Sequence, residues 1–180
     1  MVDIIEEYKK IHEKHPRVMT GSVVSERMKS KVGMFFKTFK PKTTLDYGCG
    51  KGWQWTRDKL HQEFNAPLPY MYDPGVSALM QKPHGLTFDC TICTDVMEHV
   101  EPEDCDATLT EIFNYTNKAV LFSIACNPAW KTFPNGRNLH VNCKPEEWWF
   151  ATIKRLKPAH LYVWLYFPSF NGVIKFDPNR

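Results

Sequence analysis

The amino-acid sequence predicts an α/β fold, in which a mostly parallel sheet carries helices on both faces. Short apolar runs typical of buried strands alternate with amphipathic helical segments, and this alternation favours parallel strands joined by helices. The first apolar run leads through a glycine-rich turn directly into a helical segment. Two strand-like runs at the C-terminal end are separated by a short turn, which predicts an antiparallel hairpin at one edge of the sheet.

Two helices are predicted before the first strand, the second because its apolar side chains recur on one helical face. Gly21 or Ser22 is the predicted N-cap of that second helix. The elements of this half are, in order, helices over residues 3–13 and 22–39, a strand over 43–47, a helix over 53–64 and a strand over 68–72.

The second half of the chain continues the alternation and ends on the hairpin. Pro102 is predicted to begin a helix, because its fixed φ and missing N–H suit the first helical position. The elements of this half are a strand over residues 88–94, the helix after Pro102, a strand over 119–125, a helix over 145–156, and hairpin strands over 160–167 and 172–176.

Length and composition limit the class of protein. The chain has 180 residues, which suits one globular unit, and 43% hydrophobic with 24% charged residues excludes a disordered or coiled-coil chain. No apolar run approaches the roughly 20 residues that span a bilayer, and the first ten residues carry acids where a signal peptide carries basic residues. We therefore predict a cytoplasmic protein without a membrane partner, in which the six cysteines are reduced.

The charge is small overall but unevenly distributed. The net charge is +3, whereas residues 1–60 carry 13 basic and 7 acidic side chains, residues 61–120 carry 2 and 10, and residues 121–180 carry 8 and 3. This pattern favours solvated helix faces over a nucleic-acid surface, so a nucleic-acid partner is possible without being favoured. We predict a monomer or a small homo-oligomer.

The glycine turn at residues 48–52 is the strongest local signal. Glycine lacks a Cβ, so a ligand can approach the backbone of this turn closely. The carboxylate of Asp46 would repel a dinucleotide pyrophosphate at the turn. The same carboxylate would attract the positive ammonium group of S-adenosylmethionine. Asp73 follows the second strand, where its two oxygens suit the two hydroxyls of a ribose.

From about Leu45 to the terminal hairpin, the sequence resembles the class I S-adenosylmethionine-dependent methyltransferases. LDYGCGKG at residues 45–52 is similar to their first motif, Asp73 to their ribose-binding acid, and FDCTICTDVMEHV at residues 88–100 to their fourth strand and the following loop. The string is also similar to a compact group within that superfamily found in bacteria and their viruses. The resemblance implies a Rossmann-like, doubly wound fold and S-adenosyl-L-methionine as the cofactor.

The same resemblance implies roles for individual residues and an arrangement of the chain. Residues 1–40 would form N-terminal helices that cover the cofactor site, and residues 41–180 the methyltransferase domain. Too few residues separate Asp73 from Asp89 for a full crossover, so the fold is predicted to be shortened around the third strand. The implied cofactor-binding residues are Asp46, Tyr47, Gly48, Gly50, Gly52, Asp73, Pro74, Thr94 and Asp95.

A group of acids and histidines suggests a second site next to the cofactor. Asp95, Glu98 and His99 have i, i+3, i+4 spacing, which places them on one face of a helical turn. A divalent metal ion could be bound by Glu98, His99 and His140, and similar patterns occur in metal-dependent O-methyltransferases of ubiquinone biosynthesis and of small-RNA 3′ ends. Alternatively, these groups are structural, and His140 alone is the catalytic residue, a general base that takes the acceptor proton.

These residues lead to a specific expectation and two alternatives. The chain is expected to transfer a methyl group from S-adenosylmethionine to a small molecule or to a polymer end, at an oxygen or nitrogen acceptor that the sequence does not identify. One alternative is a module that binds S-adenosylmethionine without turnover. The other is an enzyme that degrades S-adenosylmethionine.

Overall fold

The computed structural model describes residues 3–15, 23, 25–169 and 172–178. Their strands form one six-stranded sheet with the order β2-β1-β3-β4-β5-β6, in which every neighbouring pair is parallel except β5 and β6. The predicted parallel sheet with an antiparallel edge is therefore confirmed. The strands are β1 Thr44–Tyr47, β2 Tyr70–Tyr72, β3 Phe88–Thr94, β4 Thr116–Ser123, β5 Tyr162–Tyr166 and β6 Val173–Phe176.

Helices cover both faces of this sheet, as the sequence predicts. On one face α2 and α3 pack against apolar residues of β3, β4 and β5, and on the other face α5 and α6 pack against the opposite side chains of the same strands. The helices are α1 Ile4–Lys14, α2 Glu26–Phe39, α3 Trp53–Thr56, α4 Leu60–Glu63, α5 Cys105–Asn114 and α6 Glu146–Leu156, with 3₁₀ turns at Met97–His99 and Pro102–Asp104.

The cysteines of β3 show how the sheet separates the two cores. Cys90 lies in the core under α2, whereas Cys93 lies in the core under α5 and α6. Alternation along a strand places side chains three residues apart on opposite faces, so this CxxC pair serves packing. Both thiols are buried and free, as the sequence predicts.

Some element boundaries differ from the predicted ones for identifiable reasons. Helix α2 begins at Glu26, because the hydroxyl of Ser25 accepts the backbone N–H of Met28 and caps the helix there. The predicted caps Gly21 and Ser22 lie outside the described residues. Strand β4 begins at Thr116, where pairing with β3 starts, and the exposed polar residues Asn117 and Lys118 that follow it lack an apolar pattern.

The single helix predicted over residues 53–64 is wrong: α3 and α4 are separate short helices. Lys59 between them has φ of 53°, a left-handed conformation that ends one helix and starts the next. Trp55 and Leu60 are both buried in the same core. In a continuous helix they would point about 140° apart, so the break allows both side chains to reach that core.

The segment between β2 and β3 is short, as the sequence predicts. This segment, residues 73–87, is fully described, and it forms turns and irregular structure with neither a helix nor a strand. Strand β2 is therefore an edge of the sheet, and no strand of the described residues pairs with its outer side. None of the helices in the described part of the chain combines the length and apolar character needed to cross a membrane.

Candidate functional site

A cavity of about 580 Å³ lies where strands β1, β2 and β3 end. This volume is within the range of roughly 300–1,000 Å³ that is usual for small-molecule sites. The carboxyl ends of parallel strands are where α/β proteins bind ligands. Helix α1 forms part of the wall through Ile4, Ile5, Tyr8 and His12, so this helix packs over the strand ends.

The glycine turn after β1 is held close to the end of β2. Gly48 has φ of +77°, and a Cβ at this position would lie 2.3 Å from a methyl carbon of Val96. The N–H groups of Gly48 and Cys49 both donate to the carbonyl of Tyr72, at 2.7 and 3.1 Å. Only glycine combines this backbone conformation with so close an approach of the segment that follows β3.

Asp73 connects the glycine turn to the loop after β2. One carboxylate oxygen accepts the N–H of Gly50 at 2.7 Å, and the other accepts the N–H of Gly75 at 2.8 Å. Burial raises the pKa of Asp73 to about 6, although both backbone hydrogen bonds act in the opposite direction. Each oxygen retains lone pairs for a further donor, such as a ribose hydroxyl.

Asp46 has a different environment from the one that the sequence suggests. Its side chain is 1% exposed and accepts the indole N–H of Trp55 at 2.5 Å and the amide of Gln54 at 3.0 Å. Burial is the largest influence on this carboxyl group and raises its pKa to about 7. Asp46 thus lies beneath the glycine turn and supports it from the protein interior.

The structure brings most of the predicted cofactor-binding residues to the cavity wall. Their roles toward a ligand stay predictions. Two of the predicted residues, Asp46 and Gly52, are not part of the described cavity wall. A Cβ at Gly52 would lie 2.6 Å from the sulfur of Met71, which places this glycine against the second strand. The predicted residues that line the cavity are Tyr47, Gly48, Gly50, Asp73, Pro74, Thr94 and Asp95.

The spacing of Asp95, Glu98 and His99 predicts that they share one face of a helical turn after β3. The structure instead has a 3₁₀ turn in this segment. Asp95 has φ of 56° and lies before the turn, which runs from Met97 to His99. The hydroxyl of Ser123 donates to Asp95 at 2.9 Å, and the N–H of Asp95 donates to the Ser123 carbonyl. Asp95 is consequently fixed to the end of β4, separately from Glu98 and His99.

Glu98 is a buried acid whose carboxylate is incompletely paired. Its side chain is 0% exposed, and one oxygen accepts the N–H of Ala125 at 3.0 Å. The other oxygen, Oε2, has no hydrogen-bond partner among the residues that the structure describes. Burial first, and the charge of Asp95 second, raise the pKa of Glu98 well above its usual value.

His99 is held by helix α1 and by the loop after β4. The Tyr8 hydroxyl donates to the Leu139 carbonyl at 2.6 Å, and His99 Nδ1 lies 3.0 Å from the same carbonyl. Because a carbonyl oxygen can only accept, Nδ1 carries the proton and Nε2 keeps its lone pair. Burial lowers the pKa of His99 to about 4, so the imidazole is neutral at physiological pH.

His140 is constrained in the same way by its own loop. Its Nδ1 lies 2.6 Å from the carbonyl of Asn127, so Nδ1 donates and Nε2 keeps the lone pair. The rings of His99 and His140 are 4.9 Å apart between centroids. One oxygen or nitrogen atom from each of Glu98, His99 and His140 lies within 4.8 Å of the others, and we call these three residues the Glu98 cluster.

The arrangement of the Glu98 cluster suits a cation. Histidines that bind metals usually donate their other ring N–H to a carbonyl or a carboxylate, as both histidines do here. The unpaired Oε2 of Glu98 supplies an oxygen ligand. Two imidazoles and one carboxylate suit zinc, manganese or a related divalent ion.

Several residues of the site have no signal in the sequence. Tyr8 lies 91 residues from His99 along the chain, and only the packing of α1 brings the two together. Burial first, and the charge of Glu98 second, raise the pKa of Tyr8 well above its usual value, so its hydroxyl stays protonated as a donor. Lys82 and Glu111 also line the cavity and were not predicted.

Comparison with known proteins identifies the family. A family model described as a methyltransferase domain matches residues 22–166. The chain belongs to the class I S-adenosylmethionine-dependent methyltransferases. The match covers α2 and the whole parallel part of the sheet, whereas α1 of this methyltransferase precedes it. No curated protein and no solved structure matches the chain.

Proposed function

We propose that this methyltransferase binds S-adenosylmethionine in the cavity at the ends of β1, β2 and β3 and transfers its methyl group to an acceptor hydroxyl beside the Glu98 cluster. The observation that carries this proposal is the position of Asp73. Its buried carboxylate faces the cavity and is joined to the glycine turn through Gly50. A ribose bound at Asp73 would extend one end of the cofactor along the backbone of that turn.

The walls of the cavity suit the cofactor chemically. Gly48 and Gly50 leave the backbone accessible, and Thr94 and Asp95 line the end of β3, where a carboxylate favours the positive sulfonium. Bound there, S-adenosylmethionine supplies an electrophilic methyl group. Helix α1 packs over the cavity through Tyr8, and this position would exclude water from the bound cofactor.

We further propose that the Glu98 cluster holds a divalent cation. The ligands would be Glu98 Oε2 and the Nε2 atoms of His99 and His140, which the backbone hydrogen bonds leave as acceptors. A cation at this position supplies a Lewis acid that orients an acceptor hydroxyl and lowers its pKa. A hydroxyl acceptor is accordingly favoured over a nitrogen acceptor.

His140 provides a second way to remove the acceptor proton. Its Nε2 keeps a lone pair and its ring is oriented by the Asn127 carbonyl, so it meets the requirements of a general base. The two roles of His140 exclude one another, because a lone pair that binds a cation cannot take a proton. They also make opposite predictions about metal removal.

The first experiment separates methyl transfer from the two alternative functions. The protein is incubated with methyl-labelled S-adenosylmethionine alone, with catechol, and with a short RNA whose 3′ ribose presents two adjacent hydroxyls. Labelled catechol or RNA supports methyl transfer to that acceptor class. Consumption of the cofactor without acceptor indicates a degrading enzyme. Binding without consumption under all three conditions excludes these two acceptor classes and favours a binding module.

The second experiment decides between the roles of His140. A bound cation predicts that EDTA abolishes turnover, that Mg²⁺, Mn²⁺ or Zn²⁺ restores it, and that Glu98→Gln and His140→Ala both lose activity with little change in cofactor affinity. Turnover that resists EDTA and is impaired by His140→Ala alone makes His140 the general base. His160→Ala and Glu147→Gln are matched controls, since both side chains are exposed.

A further inference from the structure

Tyr8 joins helix α1 to two of the three residues of the Glu98 cluster. Its hydroxyl donates at 2.6 Å to the carbonyl of Leu139, the residue directly before His140. The oxygen of the same hydroxyl lies 2.8 Å from Nδ1 of His99 and accepts part of the N–H that His99 also directs at Leu139. One side chain of α1 therefore contacts one histidine of the cluster and the backbone that carries the other.

Ring contacts also hold Tyr8 in this position. The ring centroids of Tyr8 and His99 are 5.2 Å apart in an edge-to-face arrangement, and Phe133 meets Tyr8 at the same distance. Phe133 is buried and lies in the loop after β4, which also carries Leu139 and His140. These contacts need only the ring of Tyr8, so its ring and its hydroxyl can be tested separately.

The same helix forms one wall of the proposed cofactor cavity, through Ile4, Ile5, Tyr8 and His12. Helix α1 has 11 residues, and an isolated helix of that length is marginally stable in water, so α1 depends on docking against the rest of the chain. A ligand in the cavity gains contacts with these four side chains only when α1 is docked. Cofactor binding therefore favours the docked helix.

The docked helix also favours the binding of a cation. In that position Tyr8 restrains the ring of His99 and the carbonyl before His140, and both histidines keep Nε2 as an acceptor. Outer hydrogen-bond partners of this kind orient metal-binding histidines, and their loss commonly lowers metal affinity by roughly 10- to 100-fold. A cation therefore binds more tightly when α1 is docked.

We propose that Tyr8 is a positioning residue through which the cofactor and the cation strengthen each other's binding. This inference rests on the proposed function, which places S-adenosylmethionine in the cavity and a divalent cation in the Glu98 cluster. Both ligands bind better to the same docked position of α1, so each shifts the helix toward the state that the other prefers. Such coupling is reciprocal and usually amounts to roughly 5- to 150-fold in affinity.

Calorimetry measures this coupling in the unmodified chain with Mn²⁺ and S-adenosylhomocysteine. The latter compound carries no sulfonium, so direct repulsion between a sulfonium and the cation does not enter the measurement. Saturating S-adenosylhomocysteine is expected to strengthen Mn²⁺ binding by at least about fivefold, and saturating Mn²⁺ should strengthen S-adenosylhomocysteine binding by the same factor. Glu98→Gln should weaken Mn²⁺ binding and remove the coupling, which assigns the coupling to this cluster.

Tyr8→Phe removes the hydroxyl and keeps the ring contacts, so the coupling should fall to about twofold or less. Its affinity for S-adenosylhomocysteine without metal should change by less than about threefold, because the ring still lines the cavity. Tyr70→Phe is the matched control and should keep the full coupling. The Tyr70 hydroxyl donates to the Gln81 carbonyl at 3.2 Å, and Tyr70 lies outside the described cavity wall.

Hydrogen exchange gives a second measurement that needs no variant of Tyr8. Mn²⁺ alone should slow amide exchange over residues 4–14 of the unmodified chain, because it favours the docked helix, and it should not do so in Glu98→Gln.

Three results overturn this inference while the proposed function stands: equal Mn²⁺ affinity with and without S-adenosylhomocysteine, unchanged exchange over residues 4–14, or full coupling in Tyr8→Phe. If Glu98→Gln binds Mn²⁺ as the unmodified chain does, the proposed cation site is overturned, and this inference with it. Absence of S-adenosylhomocysteine binding overturns the proposed cofactor site and this inference together.

Discussion

Replacement of Asp73 by asparagine removes a charged group that joins the glycine turn to the loop after β2. The asparagine keeps a single acceptor oxygen, and its amide would face the N–H of either Gly50 or Gly75. A hydroxyl bonded to a carboxylate is worth about 1.5–3 kcal/mol. Loss of one such bond, about 2 kcal/mol, corresponds to a roughly 30-fold weaker affinity for S-adenosylhomocysteine at pH 8.

The pH dependence gives this prediction a second, independent readout. The pKa of Asp73 is about 6 in the folded chain, so below pH 6 its carboxyl group is protonated and one oxygen becomes a donor. The affinity of the unmodified chain for S-adenosylhomocysteine should therefore fall as the pH decreases through 6, toward the value of Asp73→Asn. The affinity of the variant should change little over the same range.

Stability should show the opposite trend. The folded pKa of Asp73 is raised above the unfolded value of about 3.9, so the folded state binds more protons in this interval. As the pH rises from about 4 to about 6, the free energy of unfolding of the unmodified chain should therefore fall by roughly 2–3 kcal/mol from this group. Asp73→Asn should lack this component.

Calorimetric titrations and urea denaturation from pH 4.5 to 8 measure both effects. Asp58→Asn is the control, because it makes the same chemical change at an exposed site where Arg57 is the partner. The reasoning is refuted if Asp73→Asn binds S-adenosylhomocysteine as tightly as the unmodified chain at pH 8, or if Asp58→Asn weakens binding equally.

Three further outcomes are expected. Gly48→Ala places a Cβ 2.3 Å from a methyl carbon of Val96 on a left-handed backbone, and it should lower the free energy of unfolding by about 3 kcal/mol. Gly85→Ala, whose Cβ meets no atom within 4 Å, should lower it by about 1 kcal/mol, and urea denaturation compares the two. Trp55→Phe removes a hydrogen bond to Asp46, so its destabilisation, about 2 kcal/mol, should be larger at pH 8 than at pH 5 in the same assay. Binding of Mn²⁺ should strengthen as the pH rises and release protons, because burial raises the pKa of Glu98 and a bound cation competes with its proton. Titrations in buffers of different ionisation enthalpy measure this, and pH-independent affinity contradicts it.

The fold was largely predictable because its signals are local. Each buried strand is a short apolar run, and the hydrophobic faces of α2 and α5 recur at helical spacing. The break between α3 and α4 was not predictable, since it depends on Trp55 and Leu60 reaching one core. The short segment after Asp73 was predictable from chain length alone.

The candidate site was predictable only in part. Glycines and acids at strand ends mark the cavity, because parallel strands end at the same edge of a sheet. The spacing of Asp95, Glu98 and His99 predicts the correct segment, although that segment is a 3₁₀ turn and Asp95 lies before it. Tyr8 has no local signal, because its role depends on the docking of α1 against a loop 131 residues away.

The most direct test of the central claim is a calorimetric titration of S-adenosylmethionine and S-adenosylhomocysteine into the unmodified chain at pH 8. The account predicts that both compounds bind one per chain with dissociation constants well below about 1 mM. Binding should also slow amide hydrogen exchange at residues 48–52 and 73–75, which line or support the cavity. Absence of binding by either compound up to about 1 mM would contradict the assignment of this cavity to S-adenosylmethionine.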